Sequence, residues 1–246
     1  MSIKRTLITS ISTLATCTFL SSSALAQSTP IPKNDSHAGH NHGAMDDHSE
    51  RPATEIIEGT FTELESDHVI GSAKAGSTMI IYASVTCPHC AHWFGTVWPD
   101  IKKNYVETDQ LRVIFREFPT QPAQLAFAGF LIADCAPDDQ YFDMIEHQMA
   151  EQSRLIKSAQ DGFGKEAYLE VAQKAGLADE AAMNECLADK EGIARIQKSM
   201  ALAQSGNIQS VPNFIIDGTL FKGKTELVPL SAHLDALAEG GATPIP

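Results

Sequence analysis

The sequence predicts an α/β domain of unusual arrangement, in which a strand, helix, strand opening is parted from a closing β-hairpin and helix by a long helical block. Three observations carry this. The apolar run Thr78 to Ser84 leads into Cys87-Pro88-His89-Cys90 and a Trp- and Phe-rich helical stretch. Residues 124–205 then show helical periodicity and no strand pattern. Finally, two short apolar runs are joined by Asp217-Gly218, a strong hairpin signal.

Taken in order, the chain opens with Lys4 and Arg5, an apolar stretch from Leu7 to Leu20, and Ala24-Leu25-Ala26. This is the pattern of a secretory signal peptide, residues 1–26, cleaved after Ala26. The stretch is interrupted by Ser and Thr and falls short of the roughly 20 apolar residues of a membrane span. Leu14-Ala15-Thr16-Cys17 is a poor match to a lipoprotein signal, because Thr precedes the cysteine. Export is therefore expected. Residues 27–57 follow as a disordered His-rich tail, with hardly any large apolar residues before Ile56.

Thr78 to Ser84 reads as a buried strand, and the helix after it should run to about Tyr105 with a kink at Pro99. Leu111 to Phe118 is a second strand, its alternation obscured by Arg112 and Arg116, and Pro119 closes it. A strand, helix, strand succession of this length makes a right-handed βαβ unit. In the helical block, Leu125, Phe127, Phe130 and Leu131 form one apolar set. Phe142, Ile145 and Met149, then Leu169 and Ala172, then Ile193, Ile196 and Met200 form others. Asp179 is placed to cap a helix over Glu180 to Leu187. Asn213 to Ile216 and Thr219 to Phe221 make the hairpin, and Thr225 to Ala238 a last amphipathic helix. The expected segments are thus 58–123, the helical insertion 124–205, and 206–240.

Two cysteines two residues apart at a helix start can close a small ring, and the helix N-terminus offers free N–H groups and a positive dipole end. Both favour a thiolate at Cys87. The same spacing serves half a zinc site, but no second ligand pair of matching spacing follows. Cys87, nearest the helix end and exposed, is expected to be the nucleophile, and Cys90, one turn deeper, the resolving thiol. His89 is placed to stabilise the thiolate, against the alternative of a surface histidine without electronic effect; His92 reads as surface or packing.

The βαβ and ββα halves, the CPHC helix and the helical block together resemble the DsbA-like branch of the thioredoxin superfamily, over about residues 58–238. The most specific parts are Tyr82 to His92 (YASVTCPHCAH), Phe115 to Pro119 (FREFP), and Ser210 to Phe214 (SVPNF) ahead of the hairpin. The resemblance implies a thioredoxin-like fold with an inserted all-helical domain. It also implies a disulfide oxidase acting through Cys87 and Cys90, with Pro88 and His89 tuning the pair. Val211-Pro212 is then a cis-proline loop packed against that pair. Such a loop leaves the Val211 backbone free to bind extended substrate main chain. The implied partners are reduced, unfolded exported proteins and a membrane-embedded, quinone-linked thiol oxidase of DsbB type; no dissociable cofactor is required. One departure stands out: the acidic residue common six positions before the first cysteine is Ile81 here. Glu117 and Glu58 are the nearest substitutes. A disulfide isomerase or reductase is the alternative within the class, but those relatives associate through an N-terminal domain that this polar segment does not supply. A monomer is expected.

Cys135 and Cys186, fifty-one residues apart in the helical block, read first as a structural disulfide, given export, and second as two buried thiols. In the tail, His37, His40, His42 and His48 stand with Met45, Asp46 and Asp47, a donor set suited to copper or zinc, or a solvated linker. With the signal removed, sixteen basic residues face thirty-one acidic ones. That balance argues against nucleic-acid binding.

Overall fold

The computed structural model describes residues 55–240. The signal segment and the four tail histidines lie outside the described residues. Five strands form one sheet: β1 (His68–Ile70), β2 (Ser77–Ala83), β3 (Leu111–Glu117), β4 (Asn213–Ile216) and β5 (Thr219–Leu220), in the order β1-β3-β2-β4-β5. β2 and β3 are parallel, joined through α1 (Pro88–Thr96) and α2 (Trp98–Ile101); the other pairings are antiparallel. The hairpin between β4 and β5 turns at Asp217 (φ 47°) and Gly218 (φ 75°), the double positive φ that makes Asp-Gly suitable there.

β2 is central and buried on both faces, which explains its unbroken apolar run. Met79, Ile81 and Ala83 join the larger core, with Trp93, Phe94 and Phe115, while Ile80 and Tyr82 face a smaller one with Ile114, Leu202, Ala203 and Ile215. The helical block comprises α3 (Ala123–Asp134), α4 (Tyr141–Gln160), α5 (Gly164–Lys174), α6 (Glu180–Leu187) and α7 (Lys190–Ser205). It shares the larger core with the sheet, since Phe130, Tyr141, Phe142, Ile145 and Val171 belong to the same buried cluster as Met79 and Phe115. Asp179 caps α6 by accepting from the Ala182 N–H at 3.0 Å. The chain closes with α8 (Leu227–Ala238) against α2 and β2.

Three features differ from expectation. β1 has only three residues, too few to show alternation, and pairs with β3 through His68↔Phe115 to Ile70↔Val113. The CPHC helix does not continue to Tyr105. It breaks at Val97, so that Pro99 falls in the first turn of α2, where its missing N–H costs nothing, and Lys102–Val106 closes as a π-helical turn. Ile57 belongs to the folded unit rather than to the tail, because the Ser205 hydroxyl accepts its N–H at 2.9 Å and donates to the Glu55 carbonyl at 2.8 Å.

Arg116, which obscured the β3 pattern, is fully buried. Its guanidinium donates to the carbonyls of Gly59 (2.8 Å) and Thr62 (2.7 Å) and to the Tyr82 hydroxyl (3.0 Å), and pairs with both Asp67 oxygens (3.1 and 2.8 Å). One side chain thus ties the segment ahead of β1 to the sheet. Arg116→Met leaves the buried Asp67 carboxylate without its partner and should cost roughly 3–5 kcal/mol in urea unfolding. A loss under about 1 kcal/mol would show that the clamp is not structural.

Cys135, at the C-cap of α3, is bonded to Cys186 of α6, with Cα atoms 6.2 Å apart. Two helices of the block are thereby tied. Closing a 51-residue separation stabilises by about 4 kcal/mol on chain entropy alone. Urea unfolding of the double variant Cys135→Ser, Cys186→Ser should show a loss of that order, and an unchanged midpoint would contradict it.

Candidate active site

The end of β2 and the start of α1 set the site. Ser84 to Cys87 form a turn closed by the Cys87 N–H donating to the Ser84 carbonyl at 3.1 Å. Cys87 is the N-cap of α1, with extended backbone (φ −89°, ψ 118°), and Pro88 takes the first helical position. Cys90 is completely buried one turn in, and Cys87 is only 7 % exposed, so the nucleophile is more sheltered than its place at a helix start suggests. The shelter comes from the loop before β4. The Val211–Pro212 peptide is cis, and the Cys87 thiol donates to the Val211 carbonyl at 3.5 Å. A second cis bond, Gln121–Pro122, follows β3 and was not anticipated.

The two thiols are unlinked and chemically unlike. Cys87 is held down to about 5, first by a hydrogen bond from the Cys90 thiol, against the opposing effect of burial, then by the Cys90 and His89 N–H groups and last by the His89 side chain. Burial pushes Cys90 far up, and the neighbouring Cys87 sulfur adds to this. The arrangement offers one acidic sulfur ready to attack or to leave, and one kept protonated behind it. His89 is solvent-exposed yet reaches Cys87; His92 is exposed and away from the sulfur pair's hydrogen bonds. Among the described residues, no group of three or more His, Cys, Asp or Glu side chains is arranged to hold a metal ion.

Among the described residues, no carboxylate acts on either cysteine sulfur, and Glu58 is exposed. Ile81 is fully buried between Phe115 and Phe214 on its neighbouring strands. Glu117 is buried, but its carboxylate accepts from Tyr141 and Arg195, both at 3.2 Å. What meets the Cys90 sulfur is the Ser84 N–H, at 3.5 Å. The Ser84 side chain in turn belongs to a triangle of hydroxyls with Thr86 and Thr120, at 3.0, 2.8 and 3.0 Å. A further contact comes from the helical block: the Gln152 side chain donates to the carbonyls of Val85 (2.8 Å) and Cys87 (3.0 Å). Sequence reasoning missed these residues. The available signal was that Gln148 and Gln152 fall on the apolar face of α4 with Ile145, Met149 and Leu155.

In sequence and fold the chain is similar to known proteins. The thioredoxin family model matches residues 63–236, and the chain belongs to that family. Within it the chain is DsbA-like: it is similar to the solved structure of Wolbachia pipientis alpha-DsbA1, with a TM-score of 0.64 and 26 % identity over 72 % of this chain and 94 % of that one. The oxidised BdbD of Bacillus subtilis shares the fold, with a TM-score of 0.60 at 18 % identity over 71 % and 94 % of the two chains. A Rickettsia conorii protein named as a protein-disulfide oxidoreductase is 27 % identical over 76 % of this chain, the match spanning 66 % of that longer protein.

The low value at Cys87 has a testable sign. A thiol depressed from about 9 to about 5 in the fold stabilises the dithiol form as pH rises between those values, and that stabilisation is lost as pH falls through 5. Cys90, shifted upward, acts only above the ordinary thiol range. The disulfide form has neither titration. Alkylation of the dithiol form should therefore follow a single ionisation near pH 5, and the stability gap between dithiol and disulfide forms should widen from pH 5 towards 9 in favour of the dithiol. A midpoint above 8 would contradict the assignment.

Proposed function

We propose that this protein is an exported thiol-disulfide oxidoreductase that donates the Cys87–Cys90 disulfide to reduced, unfolded proteins in the periplasm. The observation that carries this is the pairing of an acidic Cys87 sulfur with a buried, proton-holding Cys90 beside the Val211 carbonyl. A substrate thiolate attacks the Cys87 sulfur of the disulfide; the bond to Cys90 breaks and Cys90 leaves, taking up a proton. A second substrate thiolate then attacks the substrate sulfur of the mixed disulfide and releases Cys87 as a stable thiolate. The substrate loses two electrons and the cysteine pair gains them. Stabilising the released thiolate favours the reduced protein, and so makes its disulfide a stronger oxidant.

The Val211 backbone, next to the reacting sulfur, supports main-chain recognition of an extended segment, which suits many clients rather than one. Reoxidation requires a disulfide or quinone-linked acceptor, and a DsbB-type membrane oxidase fits that role. Copper or zinc on His37, His40, His42 and His48 would be a separate role of the tail, outside this exchange.

The disulfide form should oxidise a reduced two-cysteine peptide one for one without added oxidant. Cys87→Ala should bring the rate to background, and Cys90→Ala, offered the same peptide in its disulfide form, should accumulate a mixed disulfide at Cys87 as the other peptide sulfur leaves as a thiolate, visible by mass. Retained oxidation in Cys87→Ala would overturn the reading.

A further inference from the structure

The Ser84–Cys87 turn is gripped from two sides. On one, the Thr120 hydroxyl and N–H meet the Ser84 hydroxyl at 3.0 and 3.2 Å. On the other stands Gln152, buried in the middle of α4 and sixty-five residues further along the chain than Cys87. We propose that Gln152 is a positioning residue for the exchange reaction, its side-chain amide fixing the two main-chain carbonyls that decide where the Cys87 sulfur points. The inference rests on the reading of Cys87 as the nucleophile.

The Cys87 carbonyl accepts the Ala91 N–H at 3.0 Å as the first bond of α1, and the Gln152 amide at 3.0 Å as a second. A carbonyl oxygen has two acceptor positions, and both are now filled. The peptide plane between Cys87 and Pro88 is therefore held from two directions. The Val85 carbonyl, two residues earlier, is held by the same NH2 group at 2.8 Å. With both planes fixed, the extended Cys87 backbone cannot turn, and the sulfur stays between the His89 and Cys90 N–H groups and the Val211 carbonyl. Without Gln152 the first-turn bond alone holds the plane, the Val85 carbonyl is left buried and unpaired, and the amides lose their aim at the thiolate.

The test uses the whole mature chain. Gln152→Met keeps length and burial but removes both donors. The Cys87 ionisation, followed by thiolate absorbance, should move up by about one unit, and the equilibrium constant for oxidation of glutathione should fall by about tenfold. Gln148→Met is the control. Gln148 is equally buried on the same helix but donates to Gly129 and Met144 and makes no bond to the turn. It should lower stability while leaving the Cys87 midpoint and the equilibrium constant within about twofold. If Gln152→Met is folded and both of its values stay within about twofold of the parent, the inference fails while the exchange reading stands. If the parent itself shows an ordinary thiol and no exchange, the reading of Cys87 fails first. Should Gln152→Met not fold, the Gln152 side-chain amide can be followed by NMR in the parent. Its resonances should be protected from solvent exchange and shift with the Cys87 ionisation, and a rapidly exchanging, pH-independent signal would overturn the proposal.

Discussion

The pairing of β2 with β4 is the constraint on which the site depends. Met79↔Ile216 through Tyr82↔Asn213 sets the register, and with it the height at which the strand ends meet. From Tyr82 the chain runs on through the turn to Cys87; from Asn213 it runs back through Pro212 to Val211. The Cys87 sulfur and the Val211 carbonyl, 124 residues apart in sequence, are thereby brought to 3.5 Å. A slip by one residue would turn Ile81 and Ala83 out of the larger core and carry Val211 away from the sulfur. The burial of β2 on both faces penalises such a slip, so the same apolar run that makes the strand also places the chemistry.

The helical block answers a second need. A nucleophile at a helix start has its amides supplied by the helix, but the turn that delivers it carries carbonyls that the sheet no longer satisfies. Gln152 of α4 meets two of them, and Thr120, just after β3, contributes a hydroxyl and an N–H to the other side of the turn. The block shares one core with the sheet, so these contacts rest on packed aromatic side chains rather than on a movable lid. Ile81 belongs to the same logic: a fully apolar position beneath the pair leaves the acid and base work to the sulfur atoms and the backbone around them.

Much of this was legible in the sequence because its signals are local. Asp217-Gly218 demands a turn, Cys-Pro-His-Cys stands at a strand-to-helix junction, and Asp179 precedes a helix it can cap. The expectation of a cis bond at Val211–Pro212 came from resemblance, not from the residues alone. What was not legible depends on partners far away along the chain. Gln152 sits on the apolar face of α4, but which carbonyls it meets is set by packing, Arg116 looks like an interruption of β3 until Asp67 and the Gly59 and Thr62 carbonyls surround it, and β1 is too short to show a period. The helix break at Val97 was displaced from Pro99 because proline is accommodated best in a new first turn, which requires the break to come before it.

The oxidase reading requires that the fold stabilise the Cys87 thiolate enough to make the cysteine pair an oxidant. The most direct measurement is the reduction potential of the Cys87–Cys90 pair in the mature protein, determined in glutathione buffers at pH 7. The potential should lie well above that of the glutathione couple, with the pair largely reduced even when oxidised glutathione is in excess. A potential as low as that of a thioredoxin-type reductant would contradict it.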